Sequence, residues 1–194
     1  YKHSGCPGSR VMQIQREEVQ EAKQQLTEKP FSRLSNWPVQ IKLAPIQAPY
    51  FEGAKLLIAA DCTAYAYASM HDDFMKGKVT LIGCPKLDAV DYSEKLTQII
   101  AKNNIQSVMI VRMEVPCCGG LERAAKKAIQ ASSKNLPWQV VTISIDGNII
   151  YSLIDLDIGD KVAAGRTKTF AVTFSYKDKN NIASTDLTSF LNFK

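Results

Sequence analysis

Histidine is almost missing from this sequence, which has two in 194 residues. His3 lies near the amino end, and His71 is followed by two aspartates, the pattern of a solvated helix end. No Ser–His–Asp relay, nucleophile elbow or phosphate-cradling glycine loop can be traced, so three common catalytic frameworks find no residues to build on. No stretch approaches the roughly 18 apolar residues that a helical membrane span requires. The amino end lacks the apolar segment of a secretory signal. The net charge of +5 is mild and its Lys and Arg are dispersed. Nucleic-acid binding normally shows a denser basic stripe, so no nucleic-acid partner is expected. Beyond Ser152 there is neither Cys nor His.

What remains is ordinary in bulk. Apolar residues make up 45% and charged residues 22%, the composition of a globular domain. A chain this long can bury one good core with a small appendage. Its five cysteines are an odd number, and their spacing is not that of a small disulfide scaffold. With no secretory signal, a cytoplasmic location is expected. In that reducing setting clustered cysteines more often bind metal or do redox work than form structural disulfides.

Three regions can be drawn. Residues 1–36 form an N-terminal linker, with the turn-rich Ser4–Ser9 and a polar, thinly amphipathic Val11–Glu28. Residues 37–151 form an α/β domain. Trp37–Leu43 alternates as a half-buried strand. Lys55–Ala60, Lys78–Ile82, Gln106–Met113 and Trp138–Ile145 read as strands, most of them short apolar runs of the kind covered on both faces. Thr63–Met75, Asp91–Asn103 and Leu121–Ser133 read as helices between them, and Asp146-Gly147-Asn148 as a tight turn. This alternation predicts a three-layer α/β sandwich with a mainly parallel sheet and right-handed crossovers. Residues 152–194 read as a β-rich or partly disordered C-terminal tail, in which Phe170–Tyr176 alternates like a strand exposed on one side.

Four cysteines fall where a predicted strand ends: Cys62 in Ala60-Asp61-Cys62, Cys84 in Gly83-Cys84-Pro85-Lys86, and Cys117 and Cys118 in Glu114-Val115-Pro116-Cys117-Cys118-Gly119-Gly120. Open parallel sheets bind ligands at the carboxyl ends of their strands. Four thiolates on one edge match the ligand count of an iron–sulfur cluster or of a closed zinc site. Prolines beside Cys84 and Cys117 stiffen these loops. Gly119 and Gly120 let backbone approach a bulky group, and a helix starting near Leu121 favours thiolate. Any one of these cysteines alone would more readily be an inert core residue. Asp61, Lys86, Asp88 and Glu114 flank the same ends, where salt bridges or caps are equally natural. Cys6, with His3 nearby, is a further ligand to consider.

Taken together, Cys6-Pro7-Gly8-Ser9-Arg10, Trp37-Pro38-Val39-Gln40, Ala48-Pro49-Tyr50-Phe51, Ala59-Ala60-Asp61-Cys62, Gly83–Asp88 and Met113–Leu121 occur in an order that resembles the C-terminal module of bacterial ferredoxin-like 4Fe-4S iron–sulfur cluster-binding proteins, typical of anaerobes. The resemblance covers roughly Ser4 to Asn148. It implies electron transfer with a redox partner protein or ferredoxin domain, although the cubane cysteine motifs of the ferredoxin half are missing from this chain. A fainter similarity links Cys-Cys-Gly to the cysteine-rich domains of heterodisulfide reductases, without their trailing Cys-x-x-Cys. The expectation is therefore a redox module holding one iron–sulfur cluster through Cys62, Cys84, Cys117 and Cys118, with Cys6 as a substitute or extra ligand. The alternatives are an enzyme using the same cysteine-rich edge on a small substrate and a structural zinc module.

Overall fold

Lys55–Ala60 (β3) begins with an exposed lysine and continues as five buried residues. Such a run has no polar face to offer water, so it becomes a central strand. In the computed structural model, which describes residues 11–13 and 31–155, β3 is the second strand of a five-stranded sheet. Val79–Gly83 (β4) lies on one side of it and Ser107–Met113 (β5) on the other, both parallel to it. Trp138–Ile143 (β6) continues the parallel set, and Ile149–Asp155 (β7) closes it antiparallel. The order β4-β3-β5-β6-β7 reverses direction between β3 and β5. Right-handed crossovers then put the β3–β4 connection on one face and the later helices on the other. This is the mainly parallel three-layer sandwich expected from the alternation.

Two longer helices cover one face. Ser93–Lys102 (α3) starts where the Asp91 carboxylate accepts a hydrogen bond from the Ser93 amide at 2.9 Å. It buries Leu96, Ile99 and Ile100, each contributing about 1.5–3 kcal/mol through lost apolar surface. Gly119–Ala131 (α4) buries Leu121, Ala124, Ala125, Ala128 and Ile129. Its alanines let the backbone approach the sheet closely. Two four-residue helices, Thr63–Ala66 (α1) and Pro85–Asp88 (α2), follow β3 and β4 directly. The core runs from Phe51 and the strands through α3 and α4.

Three local expectations change. The helix over Thr63–Met75 is broken after Ala66 and resumes as a π-helical turn, Met70–Met75. Aromatic packing wins there. The Tyr67 ring stands edge-on to Phe74 at 5.1 Å and its hydroxyl donates to Asp73 at 2.7 Å. The strand over Trp37–Leu43 is also interrupted. Only Asn36–Trp37 (β2) pairs with Met12–Gln13 (β1), while Val39–Ile41 meets β4 through Ile82 N–H to Val39 O (2.8 Å) and Ile41 N–H to Ile82 O (2.9 Å). Pro38 donates no hydrogen bond, and Gln40 already starts a turn by accepting from Leu43 and Ala44. Finally, β7 carries the sheet on to Asp155. The polar segment from Ile14 to Glu28 and the tail beyond Asp155 lie outside the described residues.

Candidate functional site

The reversal between β3 and β5 opens a crevice at their carboxyl ends, because the following connections leave in opposite directions. Cys62 follows β3 by two residues, and Cys117 and Cys118 follow β5 by four and five. Cys62 and Cys117 are exposed, and Cys118 is 4% exposed. The three share one electrostatic environment. Burial pushes the Cys118 thiol up, and the neighbouring sulfurs of Cys117 and Cys62 push it further, against a backbone hydrogen bond at Met113. A side-chain hydrogen bond joins Cys118 to Cys117. The crevice therefore gathers three thiols from two loops.

Local sequence explains how these loops hold. Thr63 Oγ1 donates to Ala60 O at 2.7 Å, and the Tyr65 and Ala66 amides donate to Cys62 O, which tightens the turn around Cys62. Pro116–Cys118 forms a 3-10 turn that runs into α4, with Cys118 at the helix cap. The positive end of α4 favours thiolate there by about 0.3–1 kcal/mol, but at Cys118 burial outweighs it. Glu122 receives Lys126 at 2.6 Å and Arg112 at 2.7 Å, fixing the first turn of α4 to β5. Glu114 accepts from the Ile145 amide at 2.7 Å and so acts as a loop anchor.

Cys84 comes from the next strand out. Its loop touches the glycine pair, since a Cβ on Gly120 would lie 3.2 Å from the Pro85 ring. The half-buried Cys84 is thus on the same rim, one strand further from the crevice. Between Cys84 and Cys62 lies a polar cluster. Tyr92 donates a very short hydrogen bond to Asp88, and the Cys84 amide bonds the same phenol oxygen. Asp61 sits beside Asp88 with one carboxylate oxygen buried and unpartnered. Burial raises its carboxyl above the usual range, the Asp88 charge adds to this, and a hydrogen bond from Gln40 opposes it.

Tyr92 and Gln40 had no place in the sequence-based site. Tyr92 read as part of the apolar stripe of α3, and its one visible signal was Gly83, the residue that leaves room for its hydroxyl. Lys86 is exposed without an assigned partner in the cluster. His71 lies elsewhere, accepting from the Arg33 amide at 3.1 Å. Cys6 and His3 lie outside the described residues. Among the described residues, no three of His, Cys, Asp and Glu are grouped so as to hold a metal ion. The loop after β3 also carries Asp61-Cys62-Thr63 in place of the glycines that cradle a dinucleotide pyrophosphate.

A doubly wound α/β sheet with a switch point between β3 and β5 defines a Rossmann-like protein, and residues 48–186 match the Rossmann-like domain family, to which this chain belongs. A relative from Archaeoglobus fulgidus, described as an uncharacterized protein, is 32% identical over 117 residues, spanning 60% of this chain and 82% of the relative. No solved structure matches the chain. These findings overturn the resemblance to the C-terminal module of ferredoxin-like 4Fe-4S proteins. Neither match points to such a module. Most of the motifs that carried it, cysteines included, sit at or near strand ends, where open α/β sheets in general place their ligand loops. No helix among the described residues is long and apolar enough to cross a membrane.

Proposed function

We propose that the protein is a redox module whose carboxyl-edge cysteines hold one iron–sulfur cluster, and that it exchanges electrons with a partner protein in a reducing cytoplasm. The observation that carries this reading is the convergence of Cys62, Cys117 and Cys118 on the β3/β5 crevice, with the Cys84 loop beside them. Four thiolates from three loops match the ligand count of a cubane cluster. Gly119 and Gly120 add no side chain beside the cysteines, and the α4 end adds positive potential for an anionic centre.

A specific observation favours a second reading. The buried Cys118 is hydrogen-bonded to Cys117 with Cys62 nearby, which suits an enzyme doing thiol–disulfide chemistry without metal. A structural zinc site is the third outcome. Anaerobic purification followed by metal, acid-labile sulfide and visible absorption measurements separates them. The cluster reading predicts a brown protein with about four iron and four sulfide per chain. Stoichiometric zinc would assign the site to structure. A colourless, metal-free protein that forms a reversible disulfide among these cysteines would assign it to thiol chemistry.

A further inference from the structure

We infer that Tyr92 is a positioning residue for Cys84: its phenol ties the Cys84 loop to α3 and holds that thiol on the rim before anything binds there. Cys84 needs such a tie because it follows the edge strand β4, one strand further from the crevice than Cys62. Its role as a ligand rests on the cluster reading above, whereas the tie itself does not.

The bonds form a closed ring. The Cys84 amide donates to the Tyr92 phenol oxygen, and that hydroxyl donates to Asp88. The Asp88 amide in turn donates to the Cys84 carbonyl at 2.9 Å. The chain path makes this possible. Ala89, with φ 49° and ψ 37°, ends α2 in the left-handed region, and the residues after it bring Tyr92 back beside Asp88. The Asp91 carboxylate then holds the Ser93 amide, and the Tyr92 carbonyl receives the Leu96 amide at 2.9 Å. Tyr92 is thus fixed at the start of a ten-residue helix.

Packing confines the phenol. Tyr92 is 2% exposed. Gly83, directly before Cys84, makes the room: a Cβ there would lie 2.7 Å from the Tyr92 oxygen and 3.2 Å from the Ile41 side chain. With the hydroxyl removed, the Cys84 amide loses its partner in this packed slot. On the other side the Pro85 ring lies against Gly120, so the tied loop meets the start of α4, directly after Cys117 and Cys118. By contrast, the hydrogen bonds at the Cys62 carbonyl and the Cys118 amide stay within their own turns. A loop fixed in advance spares a ligand the cost of ordering it.

Native-state alkylation of the full metal-free chain with iodoacetamide, mapped by mass spectrometry, tests the tie. Tyr92→Phe keeps the ring and removes the hydroxyl. Cys84 is expected to react severalfold faster than in the parent, and its amide to exchange hydrogen severalfold faster, while Cys62 and Cys117 keep their rates. The buried Cys118 reports opening of the whole fold, so its rate should also hold, which a merely destabilising substitution would not allow. Tyr67→Phe, which deletes a phenol–carboxylate bond in another connection, should leave Cys84 as it was. Gly83→Ala, which drives the phenol from its slot, should act as Tyr92→Phe does. An unchanged Cys84 rate in Tyr92→Phe overturns the inference, and so does a rise that Cys118 shares equally. In iron-loaded protein the same substitution should speed removal by a chelator severalfold. A parent chain that binds no iron ends the cluster reading, while the thiol rates still decide the tie.

Discussion

A methyl group at Gly83 would sit 2.7 Å from the Tyr92 hydroxyl oxygen and 2.8 Å from the ring carbon that bears it. Gly83→Ala must therefore displace the phenol that links Asp88 to the Cys84 amide. It should cost about 1–3 kcal/mol in urea denaturation, as overpacking does, and couple non-additively with Tyr92→Val. At Glu122 the prediction concerns pH. Burial raises its carboxyl, but Lys126 and Arg112 outweigh burial and hold it below the usual range. A depressed folded value means the contribution is present above the unfolded value of about 4.3 and is lost as pH falls through the folded one. Glu122→Gln should remove that acid-side loss, seen as a flatter stability profile from neutral to acid pH. At this scale the sequence revealed the strand-end position of Cys62, Cys84, Cys117 and Cys118, because each comes shortly after an apolar run. It hid Tyr92, whose apolar body satisfies a helix stripe while its hydroxyl serves the rim. It also hid Glu122's bond to Arg112, which depends on β5 and α4 lying side by side.

Two glycines with positive φ separate local from tertiary strain among the elements. Gly77 (φ 69°) has open space around a would-be Cβ, so Gly77→Ala should cost only the left-handed backbone penalty, about 1–2 kcal/mol. Gly147 (φ 80°), in the β6–β7 turn, would drive a Cβ to 2.3 Å from the Ala66 carbonyl oxygen. Gly147→Ala should therefore lower the thermal midpoint clearly more than Gly77→Ala. It should also disturb the turn after Cys62, which shows as faster alkylation of that thiol. The strands and the helices α3 and α4 were legible because their burial follows simple periods. The break after Ala66 was not, since an edge-on ring pair and a Tyr67–Asp73 bond decide it. The interruption at Pro38 carried a visible signal, the missing amide, which the alternating pattern outweighed.

For the whole molecule, alternation predicted a parallel sandwich, and the sheet has that form. Strand order was not legible, because periodicity says which face is buried and not which strand is a neighbour. That order is what turns scattered cysteines into a rim: it sets β3 beside β5 and leaves β4 one step away. Belonging to the Rossmann-like family fixes the architecture, while the loop chemistry belongs to this chain. Iron content of five single Cys→Ser variants, purified anaerobically beside the parent chain, tests the central claim most directly. The account predicts that the Cys62, Cys84, Cys117 and Cys118 variants each lose most of the iron and sulfide that the parent carries, while the Cys6 variant keeps the larger part. Full retention of iron in the Cys62 and Cys117 variants, or a parent chain without iron, would contradict it.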